Sequence, residues 1–216
     1  MGRTNAIRAA VAGAILAISA SGVMAKNVQT AIFAGGCFWC VEADMDKIDG
    51  VISTVSGFTG GHVKNVTYKQ VTKGGTGHYE AVKIEFDADK ISYADLLHKF
   101  WRSIDPLDGG GQFCDRGDAY RSAVFAVTPQ QGIDAEASKK AVEKALGRAV
   151  ETELLVAGPF YLASKYHQDY YKQSKIVLTR FGPKSKAEAY KRYRKACGRD
   201  ARVKAVWGAE KFPAGS

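Results

Sequence analysis

The chain has 216 residues, 46% of them hydrophobic and 25% charged, with a formal net charge of +9. This length suits one domain with extensions, and the composition excludes a disordered or fibrous protein because it supplies enough apolar residues for a normal core. A core of that size means that the four cysteines are not needed as the sole source of stability.

The first 25 residues have the pattern of a secretory signal peptide. Arg3 and Arg8 precede the uncharged stretch 9–23, and Val23 and Ala25 occupy the usual cleavage positions. An uncleaved membrane anchor is the alternative, but the apolar run is shorter than the roughly 20 residues that a spanning helix needs. We therefore expect residues 1–25 to be removed and residues 26–216 to form a single exported, periplasmic domain without a membrane anchor.

The end of the chain carries much of the positive charge. Removing residues 1–25 takes away two arginines and no acids, so the net charge falls from +9 to +7. Ten Lys or Arg residues lie between Arg180 and Lys204, against Glu188 and Asp200. A nucleic-acid site is one interpretation, but export and the lack of a nucleic-acid motif disfavour it. We predict a solvated basic helix in a C-terminal extension from about residue 180, and no nucleic-acid partner.

The hydrophobic pattern predicts a mixture of strands and helices. In chain order these are a buried strand at 28–35, a helix from 37 to 48, a β-rich segment at 50–58, a loop at 59–65, a strand at 79–86, a helix at 92–104, a strand at 119–127, a helix at 129–146, a strand at 151–158 and a helix at 185–198. Strands and helices do not alternate strictly. The pattern therefore predicts an α+β fold in which helices pack on a mixed sheet.

The segment GGCFWCVE (35–42) places Phe38 and Trp39 between two cysteines. Cys37 follows a strand and two glycines at the start of a helix, where free backbone N–H groups favour a thiolate and lower its pKa. Cys40 lies one helical turn away, so the pair supports thiol–disulfide chemistry. The two rings would form an apolar pocket beside the sulfur nucleophile, which suits a small apolar group on the atom under attack.

A C-x-x-C pair alone also fits other kinds of protein. A structural disulfide is one alternative, and a thioredoxin-like thiol–disulfide exchange protein is another, since many redox proteins share the motif. Half of a zinc site is disfavoured because Cys114 and Cys197 are isolated and have no His at zinc-finger spacing.

Five ordered segments within residues 28–171 carry a more specific pattern. They are GGCFWCVE (35–42), SGFTGG (56–61), VTYKQVTKGGTGHYEAVKIEFD (66–87), DRGDAYRSAVF (115–125) and YHQDYY (166–171). Each resembles a motif of the peptide methionine sulfoxide reductase A family, in the form with a C-x-x-C active site. The resemblance implies a two-layer, ferredoxin-like α+β fold with a mostly antiparallel sheet. It also implies an enzyme that reduces the S epimer of methionine sulfoxide, free or protein-bound.

The resemblance assigns catalytic and binding roles to several side chains. Cys37 matches the nucleophile, and Phe38 and Trp39 match the rings that hold the S-methyl group. Glu80 matches the acid that protonates the departing oxygen, and an apolar neighbourhood would raise its pKa as that role requires.

Three further positions match polar groups of the family site. Tyr68 and Tyr120 match the two tyrosines that hydrogen-bond the sulfoxide oxygen. Phenol hydroxyls suit this role because they donate without adding charge. Asp115 matches an aspartate near the substrate. The histidines in or near the motifs are interpreted as structural: His62, His78 and His167.

The recycling route departs from the commonest pattern of the family. A second thiol would condense with a sulfenic acid on Cys37, and a thioredoxin-like dithiol would restore both thiols, with no metal or organic cofactor. Many family members have glycine at the position of Cys40 and use a cysteine near the C-terminus. We favour Cys40 as the resolver, with Cys197 as the alternative. Cys114 and Cys197 would then form a structural disulfide in an oxidising compartment, unless Cys197 acts as a relay. A monomer is expected.

Overall fold

A computed structural model describes residues 27–210, together with Met1 and Phe212. Apart from Met1, the predicted signal peptide lies outside the described residues. The strands are β1 (Val28–Gly35), β2 (Val51–Thr59), β3 (Tyr79–Asp87), β4 (Gly111–Gln112), β5 (Asp115–Arg116), β6 (Ser122–Ala126), β7 (Glu153–Val156), β8 (Tyr161–Leu162), β9 (Ile176–Thr179) and β10 (Gly182–Ser185). The helices are α1 (Phe38–Met45), α2 (Tyr68–Lys73), α3 (Tyr93–Trp101), α4 (Pro129–Leu146), α5 (Lys186–Ala196) and α6 (Arg199–Trp207).

A six-stranded sheet organises the fold, in the order β7-β6-β1-β3-β2-β8. β6 and β7 pair in parallel, and the other neighbours in this sheet are antiparallel. Two short hairpins, β4–β5 and β9–β10, lie outside it. The predicted α+β fold with a mostly antiparallel sheet is therefore confirmed.

The central strand β3 is more buried than its alternating sequence predicts. Val82, Ile84 and Phe86 belong to the main core, whereas Tyr79 and Ala81 belong to a second apolar cluster. Because β3 lies between β1 and β2 and both faces of the sheet are covered here, its side chains are buried on either side. This burial encloses the start of β3, where Glu80 lies.

The helices of the structure differ from the sequence-based prediction in their bounds and in their number. The first helix ends at Met45 rather than at residue 48, because the chain turns there to enter β2. The helix α2 was not predicted, although Thr67 and Gln70 form a capping box at its start. Ser92 caps α3 by accepting from the backbone N–H of Asp95. Within residues 27–210, none of the helices has the length and hydrophobicity needed to cross a membrane.

The prediction of a solvated basic helix near the chain end is wrong in part. Two helices, α5 and α6, form there and meet at Gly198, whose φ of +73° is readily adopted by glycine. Lys186, Arg194 and Arg199 are buried, with exposed fractions of 1%, 6% and 2%. Their side chains find polar partners inside the fold, so part of the basic run is structural.

Candidate active site

The backbone before α1 sets the position of the cysteine pair. Gly36 has a φ of +81°, and a Cβ on it would lie 2.6 Å from Cβ of Gln112, so the turn accepts only glycine without strain. Cys37 is the N-cap of α1 and is half-buried, and Cys40 is buried one turn further on. The predicted helix start at Cys37 is confirmed.

One cavity of about 380 Å³ brings together all ten residues that the sequence singled out. They are Cys37, Phe38, Trp39, Cys40, Tyr68, Glu80, Cys114, Asp115, Tyr120 and Cys197. These residues come from five separate parts of the chain, so the arrangement is a product of the tertiary fold.

Glu80 lies at the start of β3 and is 1% exposed. The backbone N–H of Phe38 donates to its Oε2 over 3.0 Å. Burial raises the pKa of Glu80 to about 8, and the nearby carboxylate of Asp115 adds to the effect, while the Phe38 hydrogen bond opposes it. Glu80 therefore holds a proton at neutral pH and can give it to a group in the cavity.

The two tyrosines and Asp115 complete the polar wall of the cavity. Burial raises the pKa of Tyr68 and of Tyr120, and the charge of Glu80 raises both further, so each hydroxyl remains a donor. Burial also raises the pKa of Asp115, with Arg199 opposing it. The two tyrosine hydroxyls and the protonated Glu80 therefore offer neutral donors beside the sulfur nucleophile, which suits a developing negative charge on oxygen.

The aromatic pair forms the apolar wall of the cavity, but the two rings are held differently. Phe38 is buried against Phe58, with ring centroids 5.8 Å apart. Trp39 stacks on Tyr170 at 3.7 Å between ring centroids. His167 lies 4.2 Å from the ring of Tyr68, and burial lowers its pKa to about 4, so it is neutral near pH 7. A small apolar group can therefore rest against an ordered aromatic surface.

Cys37 and Cys40 shift each other's pKa. A hydrogen bond with Cys40 raises the pKa of Cys37, and burial and the charges of Cys40 and Glu80 raise it further. The same hydrogen bond lowers the pKa of Cys40, and Arg199 and Arg194 favour a thiolate there. The expectation of a lowered pKa at Cys37 from the helix start is therefore wrong for the reduced pair. When the pair loses its first proton, the negative charge is favoured on Cys40, where Arg194 and Arg199 stabilise it.

The other two cysteines are joined in a disulfide. The Sγ atoms of Cys114 and Cys197 are bonded, and the backbone N–H of Cys114 lies 3.1 Å from Sγ of Cys197. Asp115 lies beside them, with Oδ2 3.9 Å from Sγ of Cys197. The three residues form a compact group with potential metal ligands, but a disulfide offers no thiolate to a metal.

Two arginines that the sequence did not single out line the cavity together with the cysteine pair. Arg194 contacts the buried carboxylate of Asp44 at 3.0 Å and Asp200 at 2.7 Å. Arg199 donates to the backbone carbonyls of Gly35 at 3.1 Å and Ser103 at 2.9 Å. These contacts fix two positive charges at the wall of the cavity. No local sequence signal marks them, since the basic run favours an exposed helix.

Glu42 on α1 is a second buried carboxyl close to the site. Its Oε2 accepts the backbone N–H of Asp169 over 3.0 Å, and burial raises its pKa to about 8, with the charge of Asp169 adding to the effect. In an unfolded chain a glutamate titrates near about 4.3. Between these two pH values the folded state holds a proton that the unfolded state has lost, so the stability falls as pH rises.

We therefore predict that the Glu42→Gln substitution reduces this pH dependence. The free energy of unfolding of the wild type should decrease between pH 5 and 8. In the variant this decrease should be smaller by up to about 4 kcal/mol. Urea unfolding at the two pH values measures the difference. Glu136→Gln, at an exposed position of α4, is the control and should behave as the wild type. An unchanged fall in Glu42→Gln would contradict the prediction.

Comparisons with known proteins agree with the geometry. A sequence profile of the peptide methionine sulfoxide reductase family matches residues 29–201. Peptide methionine sulfoxide reductase MsrA 2 of Caulobacter vibrioides is 48% identical over 200 residues, covering 92% of this chain and 95% of that protein. The fold also resembles solved structures, two of which each cover 66% of this chain.

The first is Mxr1 of Saccharomyces cerevisiae in reduced form, with a TM-score of 0.64, 27% identity and 83% of its chain covered. The second is methionine sulfoxide reductase A of Corynebacterium diphtheriae, with a TM-score of 0.60, 31% identity and 73% covered. These matches do not support the alternative of a thioredoxin-like exchange protein. The profile spans most of the chain, including every motif that lines the cavity, and the chain belongs to the peptide methionine sulfoxide reductase family.

Proposed function

We propose that this protein reduces the S epimer of methionine sulfoxide, free or in polypeptides, with Cys37 as nucleophile and Cys40 as resolver. Reduction of methionine sulfoxide follows from the family. The observation that carries the residue roles is the shared cavity, in which a cysteine pair faces the buried carboxyl of Glu80 and an aromatic wall. A thioredoxin-like dithiol is the proposed reductant.

The first step transfers oxygen from substrate sulfur to enzyme sulfur. In the singly deprotonated form of the pair, the proton of Cys37 passes to the Cys40 thiolate as Cys37 attacks the sulfoxide sulfur. Glu80 gives its proton to the sulfoxide oxygen, and Tyr68 and Tyr120 donate hydrogen bonds to it. Methionine leaves and Cys37 becomes a sulfenic acid, so sulfur in the substrate gains the two electrons that Cys37 loses.

The second step forms a disulfide and releases water. The thiol of Cys40 attacks the sulfenic sulfur of Cys37, and the hydroxyl leaves as water after protonation. One turn of α1 separates the two residues, so their sulfurs meet without a large movement. Cys197 is bonded to Cys114 and has no free thiol for this step. A dithiol then reduces the new disulfide by exchange.

The Cys40→Ser substitution should separate these two steps. We expect the variant to form methionine once, at a rate lowered by the loss of the Cys40 thiolate, and then to stall with a sulfenic acid on Cys37. Single-turnover assays and dimedone labelling measure the two quantities. Continued multiple turnover with a thioredoxin-like reductant would instead assign the resolving step to Cys197.

The Cys114–Cys197 disulfide is proposed to be structural. Its cysteines are 83 residues apart, and closing a loop of that size stabilises the folded state by at most about 4.5 kcal/mol in the chain-entropy estimate. We expect the Cys114→Ser/Cys197→Ser variant to be less stable by up to this amount while it still recycles. Native wild type should not react with iodoacetamide at Cys197. A free Cys197, or arrested recycling in the variant, would favour the relay.

Epimer-resolved kinetics test the substrate assignment. The S and R epimers of N-acetyl-methionine sulfoxide are supplied separately with dithiothreitol, and we expect turnover of the S epimer only. Turnover of the R epimer alone would reverse the assignment. Insulin reduction by the protein, unaffected by Glu80→Gln, would favour disulfide exchange as the activity.

Export to the periplasm is part of the proposal. Support comes from the sequence of residues 1–25, which has a basic start, an apolar run and a cleavage motif. N-terminal sequencing of the protein from cell fractions is the test. A mature chain beginning at Lys26 in the periplasmic fraction is expected, and a chain beginning at Met1 in the membrane fraction would identify an anchor.

A further inference from the structure

The hairpin β9–β10 presents an apolar face beside the cavity. Ile176 and Leu178 lie two residues apart on β9 and are 64% and 86% exposed. Pro183 pairs with Leu178 across the hairpin and is also exposed. Because alternate residues of a strand share a face, these side chains form one apolar patch. We call Ile176, Leu178 and Pro183 the hairpin patch.

The opposite side of the hairpin is anchored to the rest of the fold. Val177 packs against the cluster that contains Tyr190. The ring of Phe181 lies 5.4 Å from that of Tyr193, between centroids. At its base, the backbone N–H of Lys186 donates to the carbonyl of Lys175 over 3.0 Å. These contacts hold the hairpin in place, so the hairpin patch is presented on a fixed support.

The hairpin patch is continuous with the active-site cavity. Leu178, Thr179 and Arg180 line the same cavity as Cys37 and Glu80, although Leu178 is also the most exposed residue of β9. A cavity of about 380 Å³ accepts a side chain but not a folded polypeptide. When the oxidised methionine belongs to a polypeptide, its neighbours therefore lie outside the cavity, where the hairpin is one of the surfaces that they can contact.

We infer that the hairpin patch binds apolar residues flanking methionine sulfoxide in an unfolded polypeptide. This inference rests on the proposed function, since the methionine sulfoxide must enter the cavity. Two features support this occupant. The hairpin patch is continuous with the cavity, and its exposed apolar side chains are stabilised by burial against apolar neighbours.

The test compares two peptides of equal length that contain S-methionine sulfoxide. One has leucine on both sides and the other has serine, and kcat/KM is measured for each with dithiothreitol as reductant. The wild type should prefer the leucine peptide by about tenfold, because part of a leucine side chain leaves water on binding. The Ile176→Ser/Leu178→Ser variant should reduce this ratio to near one. The ratio is the readout because general damage to the site lowers both values.

Val156→Ser is the matched control. Val156 is 86% exposed on β7, at the edge of the sheet, and does not line the cavity. We expect this variant to keep the preference of the wild type. A wild-type ratio near one, or an unchanged ratio in the double variant, would overturn the inference.

Failure of the proposed function has a different signature. In that case the wild type would reduce neither peptide nor free methionine sulfoxide. Fluorescence anisotropy of labelled leucine and serine peptides, with wild type and double variant, would then still decide whether the hairpin patch binds apolar chains. Equal affinity of the wild type for both peptides would overturn the inference.

Discussion

The Cys37→Ser substitution is expected to abolish methionine formation, even in a single turnover. Cys37 is the N-cap of α1, is less buried than Cys40, and faces Glu80 and both tyrosines across the cavity. A serine hydroxyl in its place keeps a similar shape, but it is a far weaker nucleophile and cannot form a sulfenic acid. Rapid-quench assays with enzyme in excess over the S epimer, without reductant, measure the loss.

The matched control for this experiment is Cys40→Ser. It removes the other sulfur of the pair and should still release one methionine per enzyme. If Cys37→Ser releases methionine and Cys40→Ser does not, the attacking sulfur is Cys40 and the roles of the pair are reversed. Circular dichroism of both variants checks that each has folded.

The Glu80→Gln substitution is expected to slow the same step by roughly two to four orders of magnitude, the usual range for a positioned acid. The amide keeps the size of the side chain and an oxygen acceptor for the N–H of Phe38, but it has no proton to give to the departing oxygen. A near-normal single-turnover rate in this variant would remove Glu80 from the mechanism.

The pH profile gives a second test of the role of Glu80. Its pKa is raised to about 8, so it is protonated below that pH and loses the proton above it. The single-turnover rate of the wild type should therefore fall as pH rises through about 8. Glu80→Gln should lack this fall, because its residual rate no longer depends on that proton. An identical falling limb in both proteins would assign the titration to another group.

Local sequence patterns were sufficient for most elements of the sheet and for the start of α1. The strand predicted at 79–86 and the helix predicted at 92–104 have short-range causes, and the structure places β3 and α3 in these segments. The hairpin β9–β10 was missed because its second strand, Gly182–Ser185, contains glycine and proline and has no strand pattern.

Contacts between residues far apart in the sequence explain which features of the site could not be predicted. The family motifs identified residues that line the cavity, but the electrostatics of the cysteine pair depend on Arg199, which reaches Gly35 from 164 residues away. Arg194 donates to the buried carboxylate of Asp44, which lies on α1 near the other end of the chain. Since neither contact is local, the arginine charges that lower the pKa of Cys40 could not be predicted from the sequence around the helix start.

We propose that Cys37 and Cys40 form the redox pair of this reductase. The most direct test is a disulfide map of the enzyme after one turnover, by mass spectrometry of peptides from protein quenched with acid and alkylated. The pair is first reduced, and one equivalent of S-methionine sulfoxide is then supplied without reductant. We predict a new Cys37–Cys40 disulfide beside the Cys114–Cys197 disulfide. A link from Cys37 to Cys114 or Cys197, or methionine release with Cys37 unmodified, would contradict it.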